Sequence, residues 1–394
     1  MRETDLIIIT TSPFPIGMAA TNRLQSYAEE ISKIKKTTVI ITKPTEVRNN
    51  IINKKTKGYL GSIYYEYVHK DNVWPKEKSK IYKLFILVSS LLLTIRIIKR
   101  YNPKTILMAG IGGSIYSLIL RFIIQKWARI NKIEVYQEMS EYPSLKKIPY
   151  IFKKTYIKLY RKLDGMLVMT KELTLYFEGI GQKKLYHLPM SVNFDRFDKN
   201  EIIKERNMKF TFKYCGGGNL ERDGVKMMVE TFIAMNEKCK NFVLHIIGPI
   251  DRESDYLKSI LNTIKNNNAY NYIKFIGRKN KDEIPKLLNE ADCLIMTPVK
   301  DFDSGGFPTK LGEYLATGKP VICTNVSEIP FYLNDSSAIL IPPNDKKALK
   351  HALLDLINNY NKYKEIGENG RKVAKQNFTI NAHVNGLINF LKLD

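Results

Sequence analysis

The 394-residue sequence predicts an α/β protein built twice over, as two doubly wound parallel-sheet halves joined by a short linker. Three observations predict it. Short β-branched apolar runs alternate with longer segments of helical period, the pattern of parallel strands buried on both faces and crossed over by helices. The series is interrupted once, at the polar and aperiodic SVNFDRFDKNEIIKERN of residues 191–207. The length exceeds one ordinary hydrophobic core, while 44% hydrophobic and 26% charged residues exclude a disordered or collagen-like chain.

In order, the first series of strands is expected at Leu6–Thr11, Thr38–Thr42, Ile63–Val68, Thr105–Ala109, Glu134–Gln137 and Met166–Met169, with helices such as Asn22–Ile34 and Ser114–Asn131 between them. The second is expected at Phe210–Tyr214, Phe242–Ile247, Ile273–Ile276, Cys293–Met296, Val321–Thr324 and Ile339–Ile341. Two Rossmann-like halves of this kind hold ligands at the carboxyl ends of their strands, in a cleft between them. The boundaries read from sequence are an N-terminal domain of residues 1–195, a C-terminal domain of 196–370, and a last helix within 371–394 that can pack back on the first domain. The apolar stretch at the N-terminus follows Glu3 and Asp5 and has no small-residue cleavage site, so it reads as a first strand and not as a signal peptide. Four scattered cysteines form neither a disulfide framework nor a zinc frame, which fits a reduced, cytoplasmic compartment.

Charge is unevenly placed. The whole chain carries +24, and residues 1–164 hold 30 basic against 12 acidic residues. The first half is therefore the basic one. Within it, Tyr142–Leu163 carries Lys146, Lys147, Lys153, Lys154, Lys158, Arg161 and Lys162, no acid, and interleaved aromatic and aliphatic residues. This composition suits the inner face of an anionic membrane, with a solvated helix face and a nucleic-acid surface as the competing readings. No RRM, KH, helix-turn-helix or zinc-finger signature supports nucleic acid. Leu84–Ile95 is twelve uncharged, mostly apolar residues, short of the roughly 20 that span a bilayer, and reads as a buried or membrane-grazing helix.

Three segments carry candidate chemistry. In DSGGFPTKLGEYLATGKPVICT, Gly305 and Gly306 make a permissive turn into a helix opened by Pro308, and backbone N–H groups there can face an anion. Glu313 in that helix can accept hydroxyl hydrogen bonds from a ribose, the role of the acid in dinucleotide sites. In YCGGGNLERDG, Gly217 and Gly218 let backbone approach a phosphate and Arg222 can neutralise it. In SPFPIGMAATNR, Gly17 sits in the first strand-to-helix loop. Ordinary strand-to-helix turns remain the bland alternative for all three. Glu138 and Glu141, at the end of a strand in the first half, are candidate acids for orienting a hydroxyl. The five histidines form no cluster, and no metal site is expected.

FPTKLGEYLATGKPVI, YCGGGNLERDGV, the G-x-x-x-TNR loop and FIGRKNKDEIPKLLNEADCLIMTPV together resemble the retaining GT-B glycosyltransferases of family 4, most specifically over residues 209–345. The resemblance implies a second domain that binds a nucleotide-sugar such as a UDP- or GDP-sugar without a metal or other cofactor. It implies a first domain that holds the acceptor, here a lipid-linked or polysaccharide chain of a bacterial surface glycan. Glu313 matches the second Glu of the family's E-x7-E motif, while the first falls on Gly305. Gly306, Phe307, Thr309 and Lys310 match the part of the motif that meets sugar and phosphates. Gly217 stands where an Arg is usual and Asp223 where a Lys is usual, which leaves Arg222 as the candidate diphosphate cation. Arg278 matches the loop that meets the nucleobase. A sugar-nucleotide epimerase on the same fold and a non-catalytic basic binder of membranes or nucleic acid are the alternatives.

Overall fold

The computed structural model describes residues 3–143, 149–198, 209–251, 253–299 and 305–393. The chain divides into two compact units: residues 1–190 with 380–394, and residues 191–379. The division thus falls at Met190/Ser191 and Thr379/Ile380, where the sequence reading put 195/196 and 370/371.

The first unit is an eight-stranded sheet: β1 (Leu6–Thr10), β2 (Thr37–Ile41), β3 (Lys57–Leu60), β4 (Ile63–Tyr67), β5 (Thr105–Ala109), β6 (Glu134–Met139), β7 (Gly165–Val168) and β8 (Leu185–His187). Their spatial order is β3-β4-β2-β1-β5-β6-β7-β8. All pairings are parallel except β3 with β4, which are antiparallel in the register Lys57↔Glu66. β1 lies at the centre, with Leu6 opposite Thr37 on one side and Thr105 on the other, and every residue of β1, β2 and β5 is buried. The two strands not foreseen, β3 and β8, sit at the sheet's edges. Their residues are exposed or only half-buried, so they lack the continuous apolar run that marks the inner strands.

The expected helices Asn22–Ile34 and Ser114–Asn131 are found at Ala19–Ser32 and Ile115–Ile130. Ser114 caps the latter, its hydroxyl accepting from the Ser117 N–H at 3.1 Å. The single last helix expected within 371–394 is two: Tyr360–Asn377 and Val384–Phe390, with a 3₁₀ turn at Ile380–Ala382. The break falls at Phe378, whose backbone leaves the helix (φ −115°) and whose carbonyl accepts from the Val192 N–H at 2.8 Å, while its ring is fully buried against Phe307 and Tyr332. Beyond it, Leu387, Ile388, Leu391 and Leu393 join the core of the first unit, and the Thr105 hydroxyl donates to the Leu391 carbonyl at 3.1 Å.

The second unit is a six-stranded, all-parallel sheet of β9 (Phe210–Cys215), β10 (Phe242–Ile247), β11 (Ile273–Gly277), β12 (Cys293–Met296), β13 (Val321–Thr324) and β14 (Ile339–Ile341), ordered β11-β10-β9-β12-β13-β14. The order reverses direction between β9 and β12. That is a topological switch point, where the loops leaving neighbouring strands diverge and open a crevice. Its core is aromatic, with Phe212, Tyr214, Phe232, Phe242 and Tyr272 packed among aliphatic residues.

Candidate functional site

The second unit assembles its sequence motifs at the carboxyl end of β9. Tyr214 and Cys215 close that strand, and GGGNLERDG follows. Gly216 donates its N–H to the Ile247 carbonyl at 2.9 Å, and Gly248 donates to Gly277 at 3.1 Å, so the loops after β9, β10 and β11 are stitched side by side. Arg278, exposed, directly follows in that row. The glycines have different reasons to be there. A Cβ on Gly224, whose φ is +65°, would lie 2.1 Å from the Thr297 carbonyl oxygen, so its place is fixed by packing. A Cβ on Gly217 would meet nothing within 4 Å. Gly217 and Gly218 are exposed and free for a close approach by a ligand.

The helix Lys310–Ala316 is fastened to the same place. Tyr314, fully buried, accepts from the Cys215 N–H at 2.6 Å and donates to the Cys215 carbonyl at 3.1 Å, which fixes the helix against the end of β9. One turn earlier, the Lys310 ammonium donates to the Asp223 carboxylate and lies 3.4 Å from the Tyr214 hydroxyl, which itself donates to Asp223 at 2.5 Å. Arg222 approaches the other Asp223 oxygen at 3.7 Å. A buried carboxylate thus draws two cations together beside exposed glycine backbone, leaving the trio with net positive charge for an anion. Asp223, which stands where a Lys is usual, is answered by Lys310 from another element.

Glu313 is half-buried and accepts from the Arg196 guanidinium at 3.2 Å, while the same guanidinium donates to the Lys281 carbonyl at 2.8 Å. Burial pushes the Cys215 thiol up to about 12; the Glu313 carboxylate adds to the shift and Lys310 opposes it. The Tyr214 hydroxyl is also pushed up, first by burial and then by Asp223. Gly305 adopts φ +64°, and Gly305, Gly306 and Phe307 are buried. Phe307 turns its ring into the Tyr332 and Phe378 cluster, and the Gly306 carbonyl accepts from Ser327 at 3.0 Å. Thr309 is exposed and makes no side-chain cap. Asp303 and Ser304 of the same motif lie outside the described residues. A cavity of about 420 Å³ opens beside Gly218, Asn219 and Pro249, but Glu221 and Asp251 in its wall disfavour an anion and neither Lys310 nor Glu313 lines it.

In the first unit Glu138 is only 6% exposed, and its carboxylate accepts from Arg23 at 2.6 Å. The other Arg23 nitrogens donate to the Pro189 and Leu188 carbonyls, both at 2.7 Å, at the exit toward the second unit. Glu138, a candidate for orienting a hydroxyl, thus has one carboxylate oxygen engaged by a buried arginine that clamps backbone. Glu141 is exposed in the bend after β6. Gly17 makes room for Thr21, whose hydroxyl donates to the Pro13 carbonyl at 2.7 Å; a Cβ on Gly17 would collide with it. The basic Tyr142–Leu163 segment is helical over Tyr150–Arg161, and its Lys146 and Lys147 lie outside the described residues.

Sequence reasoning missed Arg196, Tyr314 and the pairing of Lys310 with Asp223. Lys310 and Asp223 were both noted, but their partnership spans 87 residues and carries no local signal. Arg196 sat in the polar stretch taken as linker.

Comparison with known proteins matches residues 197–373 to the family described as glycosyl transferases group 1. An uncharacterized glycosyltransferase of Methanocaldococcus jannaschii is 22% identical over 240 residues, 59% of each chain, so this chain spans little more than half of that relative's length. The capsular polysaccharide biosynthesis glycosyltransferase CapM of Staphylococcus aureus is 22% identical over 292 residues, 72% of this chain and 73% of CapM. Among solved structures, HepE of Anabaena in complex with UDP superposes with a TM-score of 0.71 at 12% identity, over 98% of this chain and 99% of that one.

Proposed function

We propose that the protein is a retaining glycosyltransferase, a reading supported by the match of residues 197–373 to the glycosyl transferases group 1 family and by the GT-B fold of the chain. It moves a sugar from a UDP- or GDP-sugar to a lipid-linked or polysaccharide acceptor in bacterial surface-glycan synthesis, working at the cytoplasmic face of the membrane. The observation that carries this reading is the gathering of Lys310, Arg222, Asp223 and Glu313 beside exposed glycine backbone at the switch point of the second sheet. CapM's part in capsular polysaccharide synthesis supports the acceptor class, and the UDP held by HepE supports the donor class.

The chemistry follows from the charges. Cleaving the bond between sugar C1 and the diphosphate oxygen leaves negative charge on the diphosphate and positive charge on the ring. Lys310, Arg222 and the N–H groups of Gly217 and Gly218 stabilise the leaving diphosphate, and such preorganised donors are each worth about 10²- to 10³-fold in rate. Glu313, held by Arg196, receives ribose hydroxyls, and the backbone at Arg278 meets the base. The acceptor hydroxyl attacks C1 on the face the diphosphate leaves, its proton passing to a phosphate oxygen, so one C–O bond breaks, one forms and configuration is kept. No metal is required for this charge balance.

Incubating the protein with UDP- or GDP-sugars, with and without a short lipid-linked acceptor, tests the reading. Release of nucleoside diphosphate and a glycosylated acceptor with the donor's anomeric configuration are expected. Conversion of the donor to an epimer without any acceptor contradicts it.

A further inference from the structure

The helix Lys80–Tyr101 is 22 residues long, nearly twice the apolar stretch that marked it in the sequence, and it leaves an apolar face uncovered. None of Lys80–Ser89 is buried. Ile81 is 81% exposed, Leu84 61%, Phe85 65% and Leu92 70%, with Val88 between them, a spacing that sets all five on one stripe. The opposite side of the later turns is core: Ser90, Thr94, Ile98 and Tyr101 are buried, Ser90 pairs with His69 at 2.8 Å, and the Tyr101 hydroxyl donates to Glu66 at 2.9 Å. Packed beside it, the helix Ile115–Ile130 repeats the arrangement, with Ile115, Ile119 and Phe122 exposed at intervals of four and three. Next to that lies Tyr150–Arg161, with Ile151 74% exposed.

The charge on these neighbours is one-sided. Besides the buried Arg121, the three helices carry eleven Lys and Arg residues around the apolar stripes, from Lys80 and Lys83 to Lys158 and Arg161, and not one Asp or Glu. By length and composition Lys80–Tyr101 could cross a membrane. Its inner side, however, is bonded into the first unit, and it connects β4 to β5 of one sheet, so it can offer a bilayer only its outer face.

We propose that this face, the outer stripes of Lys80–Tyr101 and Ile115–Ile130 with their basic border, is the surface by which the protein lies on an anionic lipid bilayer. The apolar stripe enters the boundary between headgroups and acyl chains while the lysines and arginines stay among the headgroups, as interfacial amphipathic helices do. Although Arg100 pairs with Glu66 of β4, helices that carry no acid of their own give a border complementary to anionic lipid, and one that repels a second copy of itself. The inference rests on the reading of a membrane-borne acceptor for its purpose, yet centres the contact on Lys80–Tyr101 and leaves the Tyr142–Leu163 segment, singled out by its charge, a place in the border.

The test is sedimentation of the full chain with vesicles, in the absence of donor and acceptor. Vesicles of phosphatidylcholine with 30% phosphatidylglycerol should bind it at least about tenfold more tightly than phosphatidylcholine alone, and 0.5 M NaCl should weaken that binding. The triple variant Leu84→Ser, Phe85→Ser, Leu92→Ser should lose at least about tenfold in binding with its circular dichroism unchanged. Independently, Phe85→Trp should show quenching by brominated lipids above that of the parent, which holds Trp74 and Trp127. Triple-variant binding equal to the parent's, or no added quenching at position 85, overturns the proposal. So does a vesicle-free dimer that the triple variant converts to monomer, which would assign the face to a second copy. Donor binding in detergent should be the same in parent and triple variant, so failure here and failure of the transferase reading are separately visible.

Discussion

Both units build an ionic cluster around a buried carboxylate near the end of a strand, but they use it differently. In the first, Glu138 and Arg23 are each about 6% exposed, and the guanidinium is filled by one carboxylate and two carbonyls. In the second, Asp223 is equally buried, but its partners Lys310 and Arg222 are 21% and 41% exposed and stand beside open glycine backbone. The first cluster is closed and holds a chain crossing in place. The second is half open, and a ligand can complete it. A buried ion pair by itself says little about function; what distinguishes a site is a cation that still faces outward.

The sharpest way to break this contrast is Glu138→Ala. Leaving the Arg23 charge buried without its carboxylate should cost about 3–5 kcal/mol of stability. Denaturant unfolding checks it, with Glu138→Gln as the milder partner. A Glu138→Gln protein that folds as stably as the parent but has lost transfer would make Glu138 a reacting group and abolish the distinction. Next in size, Glu313→Ala should lower kcat/KM by about 10²-fold with its unfolding midpoint little changed, whereas Lys310→Ala should lower it as much and also cost about 1–3 kcal/mol, because the buried Asp223 carboxylate loses its ammonium. Steady-state kinetics with a purified donor and acceptor measure this.

The glycines sharpen the same contrast on a smaller scale. Gly224→Ala must place a Cβ against the Thr297 carbonyl at a left-handed φ, and should destabilise by about 1–3 kcal/mol. Gly217→Ala has open space and should change stability by less than about 0.5 kcal/mol while raising KM for the donor. If both variants behave alike in melting and kinetics, the loop is only a turn. The smallest effect concerns Cys215. Its thiol is held up at about 12 against an ordinary 9.0, so the folded state favours the protonated form. That contribution is complete below pH 9 and is lost as pH rises from 9 toward 12. Accordingly, alkylation by iodoacetamide at pH 8.5 should be at least about tenfold slower than in the urea-unfolded chain.

Much of the fold was legible because parallel strands buried on both faces announce themselves as continuous β-branched runs. All twelve runs read from the sequence are strands, the second sheet's edges Ile273–Gly277 and Ile339–Ile341 included, whereas the first sheet's edge strands Lys57–Leu60 and Leu185–His187 hold no buried residue and were passed over. The break in the last helix was illegible because Phe378 fits a helical period, and the Val192 N–H that takes its carbonyl comes from a distant segment. At the site, glycines and Glu313 could be read because turns and ribose-binding acids have local spacing. Lys310's pairing with Asp223, Tyr314's grip on Cys215 and Arg196's hold on Glu313 join distant segments, which spacing along a chain does not encode. Glu138 could be read as an acid at a strand end, but its bond to Arg23 on a distant helix could not.

The central claim is that the open cluster on the second unit holds the diphosphate of a nucleotide-sugar. Calorimetric titration of UDP-, GDP- and ADP-sugars into the parent and into Lys310→Ala tests it most directly. One nucleotide should bind the parent, with affinity at least about tenfold weaker in Lys310→Ala, the loss of one charge-assisted contact. Equal affinity in both proteins, or no binding of any nucleotide-sugar to the parent, would contradict it.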